Sequence, residues 1–169
     1  IVTKRPTYLG VNMEIYVTRF NNITYEENKN WLLKNNETGC IYGTPVKLSE
    51  KILPNTEIIV LEMNNSINKI EGIGIIKNKL IYDSKKYKIY SDNNYNRFIY
   101  KSNIHITRNE LTLFEKFIIN KLENLLFTSQ SHCKRGQGIQ NVSKIIRENK
   151  IFNFKEHINN IFKSRLIIK

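Results

Sequence analysis

The sequence predicts an α+β fold in two parts: a β-rich barrel with one small helix over residues 1–106, and a helical C-terminal segment over 107–169 packed on it. From Met13 to about Ile106 the apolar runs are short, β-branched or aromatic, and separated by Asn, Gly and Asp, as strands bounded by turns are. The run "TEIIVLEMN" is almost continuously apolar, the pattern of a strand buried on both faces. After Ile106 the period lengthens. Thr107 and Glu110 form a T-x-x-E capping box, and "ELTLFEKFIINKLENLLF" repeats apolar residues at helical spacing.

In chain order, "EIYVTRF" alternates Ile15, Val17 and, past the polar Thr18–Arg19 pair, Phe20, which predicts the first strand. "TYEENKNWLLKNN" predicts a short helix capped by Thr24, with Glu27 three residues on and Trp31 and Leu32 facing inward. "GCIYGTPVKL" is extended and punctuated by Gly43 and Pro45. After the buried run, "NNSIN" turns the chain and "KIEGIGIIKN" returns as its partner strand. Gly72 and Gly74 there suit a bulge or a close backbone approach. "KLIYDS", "KKYKIYSD" and "NRFIYKSNIHI" predict further strands. In the second part Leu111, Phe114, Ile118, Leu122 and Leu125 form one apolar stripe, and "NVSKIIRENK" and "FKEHINNIFKSRLIIK" read as amphipathic helices.

A chain of 169 residues hides roughly 70% of its unfolded surface, enough for a substantial core. Lys and Arg number 27 against 15 Asp and Glu, a formal net charge of +12. That field favours a polyanionic partner, with nucleic acid ahead of an anionic membrane surface. A basic soluble protein without such a partner is the alternative. Cys40 and Cys133 are the only cysteines, and neither CxxC nor HxxxH spacing occurs, so no metal site and no cofactor are expected. The two thiols suit a reducing, intracellular compartment, cytoplasm or nucleus. No apolar run approaches about 18 residues, so no membrane span is expected. The opening "IVTKRPTYLG" lacks the apolar core of a signal peptide. Heavy use of Asn, Ile and Lys is what an AT-rich coding sequence produces.

The order of parts in the first half is distinctive. A strand ending in the polar–aromatic "TRF" precedes a small helix carrying Trp31, then "IYGTPVKL", the Pro-led strand "ILPNTEIIVLEM", and "IEGIGIIKN". This order resembles the PUA-like superfamily, in particular its EVE, ASCH and YTH branches. The resemblance covers about residues 13–106 and rests on order and spacing. It departs from those families at Asn55 and Thr56, where Gly-Asp is usual in the turn before the buried strand. It implies a compact PUA-like β-barrel that binds RNA or DNA, with a pocket beside the first strand for a single base, modified or not. The matching positions are Arg19, Phe20 and Asn21 at the end of that strand, Trp31 on the helix, and Tyr42 with Thr44 on the next segment. A flipped base needs a flat aromatic partner and a few directed hydrogen-bonding groups. Trp31, Phe20 and Tyr42 read equally well as core residues. The chain has a single Trp, so recognition of a methylated base by a set of Trp side chains in the YTH manner is not expected.

Outside the resemblance lies "SHCKRGQGIQ", residues 131–140, far more elaborate than a connector requires. Lys134 and Arg135 bring charge, while Gly136 and Gly138 allow backbone N–H groups to approach an anion. A helix start expected near Asn141 would add its orphan N–H groups. The spacing is not that of a Walker A loop, and a plain surface loop is the alternative. Lys85, Lys86 and Arg97 are interleaved with aromatics, as on nucleic-acid surfaces, and equally as on a strand edge protected by cations. Some ASCH proteins are nucleases, and His105, His132 and Glu71 are available for acid–base chemistry. No spacing unites them, so no catalytic residue is assigned and an enzyme is the lesser alternative. A structural or protein-interaction module, including a homodimer through the C-terminal helices, is the other.

Overall fold

The computed structural model describes residues 12–81 and 86–166. Strand β1 (Ile15–Phe20) leads into helix α1 (Asn22–Lys34), followed by strands β2 (Cys40–Thr44), β3 (Glu57–Asn64), β4 (Lys69–Lys77), β5 (Phe98–Ser102) and β6 (Ile104–Thr107). Helix α2 (Leu113–Glu123), a short strand β7 (Gln140–Asn141), one helical turn α3 (Lys144–Arg147) and helix α4 (Phe154–Leu166) complete the chain. Among the described residues no helix is long and apolar enough to cross a membrane.

The strands form an open five-stranded sheet in the order β6-β4-β3-β1-β7, with β2 and β5 as a separate two-stranded ribbon. β1 and β3 run parallel, in register from Ile15↔Ile59 to Phe20↔Asn64, and the other pairs are antiparallel. No closed barrel is present among the described residues. The reason lies in β2, which pairs with β5 and covers one face of the sheet instead of joining its edges. The mixed α+β character holds.

β3 explains the layering. Its side chains alternate between two cores, as the period of two in a strand requires. Ile59, Leu61 and Met63 face a core built with Ile118, Ile119 and Leu122 of α2 and with Ile158 and Ile161 of α4. Ile58 and Val60 face the second core, with Tyr16, Phe20, Ile41 and Ile99. The C-terminal segment therefore supplies a whole covering layer, and through β7 it adds an edge strand to β1.

Several boundaries differ from the sequence reading, each for a local reason. The Thr107–Glu110 capping box forms but closes only the 3-10 turn Arg108–Glu110. A second box, Thr112 with Glu115, starts α2. Of the expected stripe, Leu111, Ile118 and Leu122 are buried and Leu125 packs against the same core, while Phe114 is 63% exposed. α2 ends in a π-helical turn, Asn124–Thr128. "NRFIYKSNIHI" divides into β5 and β6 at Asn103. The described part of "KKYKIYSD" is not a strand and leads to the 3-10 turn Asn93–Asn96, while part of "KLIYDS" lies outside the described residues.

Two polar contacts fix the helical layer. Arg165 holds Glu115 through two parallel bonds, Nη1 to Oε1 at 2.7 Å and Nη2 to Oε2 at 2.8 Å, tying α4 to α2. Asn159, fully buried, accepts from the Met13 backbone N–H at 2.8 Å and donates to the Met13 carbonyl at 3.0 Å. Asn159→Leu strands both backbone groups, each costing about 1–3 kcal/mol. The urea midpoint of this variant is expected to fall well below that of the parent, and an unchanged midpoint would refute the anchoring role.

Candidate functional site

The parallel strands β1 and β3 end side by side, and the Asn65 N–H donates to the Phe20 carbonyl at 2.7 Å just beyond them. There β1 breaks into α1. The N-cap is Asn21, three residues before the cap expected from the sequence: its side chain accepts from the Thr24 N–H, and the Thr24 hydroxyl accepts from the Asn21 N–H. Released from a capping role, Glu27 accepts instead from the Ser91 N–H at 3.1 Å. Where these elements diverge a cleft of about 440 Å³ opens. Thr18, Arg19, Phe20 and Asn21 line it from β1, Ile23, Thr24 and Glu27 from α1, and Tyr90, Ser91, Asp92 and Tyr95 from the segment before β5. Gly43, Asn65, Lys134 and Gly136 complete the wall.

Arg19 builds one side of this cleft. Its guanidinium donates to the Cys133 carbonyl at 2.5 Å, the Gly138 carbonyl at 3.3 Å and the Gln140 side-chain oxygen at 3.0 Å. Burial lowers its pKa from the ordinary arginine value, though the group stays charged. The Asn65 amide donates to the Lys134 carbonyl at 3.0 Å, and the Lys134 ammonium donates to the Asn68 side chain at 2.8 Å. The loop of residues 131–140 is thus pinned at several points. Its glycines meet a steric demand: Gly136 has φ +132°, and a Cβ there would lie 2.2 Å from the Gln140 side-chain oxygen. The loop runs into β7 at Gln140, not into a helix, and the next helical turn starts at Lys144. The helix start expected near Asn141 comes three residues later, at Lys144, and is a single turn with Ser143 at its N-cap.

Of the residues singled out in the sequence, the cleft gathers Arg19, Phe20, Asn21, Lys134 and Gly136. Trp31 lies elsewhere on α1, half-buried against Tyr87 with ring centroids 5.3 Å apart. Tyr42 is buried beneath the ribbon, where its hydroxyl donates to Glu62 at 2.8 Å. Thr44 is buried and donates to the Val46 carbonyl. Arg135 is exposed, Gly138 packs near Val46, and neither lines the cleft. Lys86 and Arg97 are exposed outside it, Arg97 resting over the Phe98 ring at 5.5 Å; Lys85 lies outside the described residues.

Sequence reasoning missed Glu27, Asn65, Tyr90, Ser91, Asp92 and Tyr95. Tyr90, Ser91, Asp92 and Tyr95 come from residues 86–96, where the expected strand does not form. The Asn96 side chain organises that segment, accepting from the Ile89 and Tyr90 N–H groups at 3.0 and 2.9 Å. Asn28, buried on α1, donates to the Tyr90 hydroxyl at 2.9 Å and sets the ring against the cleft. Tyr95 packs edge-on to Tyr90 at 6.2 Å and stays 40% exposed at the rim. Thr18 is only 6% exposed, lines the cleft, and makes no hydroxyl hydrogen bond among the described residues.

A second polar cluster crosses the sheet. Glu62 Oε1 accepts from the Tyr42 hydroxyl at 2.8 Å and meets His105 Nε2 at 2.7 Å. A β-bulge sets Glu71 and Gly72 opposite Glu62, and a Cβ on Gly72 would lie 2.6 Å from Glu62 Oε2. The missing side chain lets His105 on β6 reach across β4 to β3. Burial pushes the Tyr42 phenol up, so it stays protonated as the donor. Of the other acid–base candidates, Glu71 accepts from Asn64 at 3.1 Å and His132 sits on the exposed loop, so neither joins His105. No group of three or more His, Cys, Asp or Glu among the described residues is arranged to hold a metal ion. No family model matches the chain, and neither a curated protein nor a solved structure matches it.

Burial alone would lower the His105 pKa, but the charge and hydrogen bond of Glu62 prevail and raise it above its ordinary 6.5. A group whose folded pKa is raised stabilises the fold fully below its unfolded pKa and loses that contribution as pH climbs through the folded value. The urea midpoint is therefore expected to decline as pH rises from about 6.5, and His105→Gln should remove that component. A parent and a variant with the same pH profile in this range would refute it.

Proposed function

We propose that the protein binds nucleic acid and that the cleft at the end of β1 receives a single base, modified or not, while cations around it hold the backbone. The observation that carries this reading is the convergence of Arg19, Phe20 and Asn21 with Lys134 and Gly136, more than a hundred residues away in sequence, on one cleft of about 440 Å³. That volume falls within the roughly 300–1,000 Å³ of small-molecule sites. The cleft also lies outside the carboxyl ends of a parallel strand pair, where ligands commonly bind in sheets of this kind. Tyr95 at the rim offers an exposed ring for stacking, and the +12 charge supplies attraction for phosphates. The PUA-like resemblance, with its base pocket beside the first strand, belongs to the same proposal.

The test is fluorescence anisotropy with short single-stranded oligonucleotides over a salt series. Affinity is expected to fall steeply with salt. Tyr95→Ala should weaken binding by about 1–3 kcal/mol, the worth of one stacked base. Replacing Lys134 and Arg135 together by Ala should reduce the salt slope by about one to two units. Absence of binding at low salt would overturn the reading, and so would a Tyr95→Ala variant that binds like the parent.

A second reading, a protein-interaction module, is favoured by the outer face of α2. Leu113, Phe114 and Phe117 are 89%, 63% and 52% exposed there, at spacings that form one stripe. If this stripe pairs two copies, sedimentation equilibrium should show a dimer that Phe114→Glu with Phe117→Glu converts to monomer. A parent that sediments as a monomer throughout would exclude that pairing.

A further inference from the structure

The interior of the cleft differs in chemistry from the molecule's exterior. Arg19 lines it, but its guanidinium is already engaged by two carbonyls and the Gln140 side chain. Lys134 also lines it, with its ammonium donating to the Asn68 side chain at 2.8 Å, and so do two carboxylates, Glu27 and Asp92. These acids are fixed at adjacent points, since Glu27 Oε1 accepts from the Ser91 N–H at 3.1 Å and Asp92 Oδ1 accepts from the Asn94 N–H at 2.9 Å. Neither forms an ion pair among the described residues, and each keeps its second oxygen for another donor. Thr18 on β1 lines the same cleft, more than nine-tenths buried, with a hydroxyl that has no partner among the described residues. A wall of carboxylate oxygens repels phosphate and carbonyl groups and attracts N–H groups.

From this we infer that the base edge read in the cleft is the Watson–Crick edge of guanine. The inference rests on the nucleic-acid reading above. Guanine presents two adjacent N–H donors, N1–H and the N2 amino group, beside one acceptor, O6. Glu27 and Asp92 accept from the donors, and the Thr18 hydroxyl donates to O6. Uracil sets a single N–H between two carbonyls and turns at least one carbonyl toward the acids. Adenine and cytosine each offer one amino group beside a ring nitrogen acceptor, half of the match. Stacking by Tyr95 is tolerant of all four bases, so selection falls to the carboxylates.

The experiment compares four labelled single strands of uridines that carry G, C, A or U at one central position. The guanine strand is expected to bind about tenfold more tightly than the all-uridine strand, the usual scale of a two-bond base contact. Glu27→Gln and Asp92→Asn retain the backbone bonds to Ser91 and Asn94 but replace an acceptor by an amide. Each should reduce the preference for guanine to about twofold or less, leaving the salt slope unchanged. Thr18→Val, nearly equal in shape, should also lower it. If all four strands bind alike with a steep salt slope, the guanine inference fails while the nucleic-acid reading survives. If no strand binds at low salt, both fail. A guanine preference that persists in both Glu27→Gln and Asp92→Asn also overturns the assignment.

Discussion

Burial of β3 on both faces is the constraint from which the rest of the architecture follows. Ile58, Val60, Ile59 and Leu61 are each 0–1% exposed, and they alternate between opposite cores. Each such side chain stabilises the fold by about 1.5–3 kcal/mol when fully buried, so neither face of the sheet can be left to solvent. One face needs α2 and α4; the other needs the β2–β5 ribbon and α1. Glu62 continues the same alternation and brings a carboxylate into the second layer, 6% exposed. An unpaired charge there would be costly. The Tyr42 hydroxyl and His105 offset that cost, and Gly72 and Gly74 keep β4 bare so that both can reach. A ring that looks in sequence like a stacking platform is thus committed to solving a problem created by β3.

The same sheet explains the loop of residues 131–140. β7 pairs with β1 through Tyr16↔Asn141 and Val17↔Gln140, which brings the preceding loop past the end of β1. Arg19 stands there, on the opposite face from Tyr16 and Phe20, and its planar donor fork spans carbonyls at both ends of the loop. Gly136 is needed where the chain curls past Gln140 and that guanidinium, and Gly138 where it passes Val46. A loop read as an anion grip in sequence is first of all a wall, and Lys134 and Gly136 are the parts of it that line the cleft.

Much of this was legible in sequence where periodicity speaks. β1, β3 and β4 follow from alternation and a continuous apolar run, and α4 from its amphipathic spacing. The first-strand residues Arg19, Phe20 and Asn21 do line the cleft. Legibility failed wherever side-chain to backbone bonds decide. Asn21 and Thr24 form a reciprocal box that an Asn followed by Asn and Ile does not advertise. Two capping boxes five residues apart compete for the start of α2, and only the second is continued by a helix. The segment carrying Tyr90 and Tyr95 is shaped by one buried amide, Asn96, through contacts that have no period. Strand closure was equally invisible, because the choice between a barrel and a covered sheet depends on which partner β2 takes.

A division of charge follows from these facts. The molecule as a whole is strongly basic, yet the cleft gathers two carboxylates and spends its arginine on the loop. If the proposed function holds, long-range attraction and short-range discrimination reside in different places. On the proposed nucleic-acid reading, the outer field would draw in a polyanion without regard to sequence, since phosphate contacts position a nucleic acid and do not read it. In that reading the carboxylates of Glu27 and Asp92 in the cleft, with cations outside it, would keep a strand from entering backbone first. The Arg19 clamp belongs to the same reading: a guanidinium held by the Cys133 and Gly138 carbonyls would not compete as a phosphate binder for the space that a base would occupy.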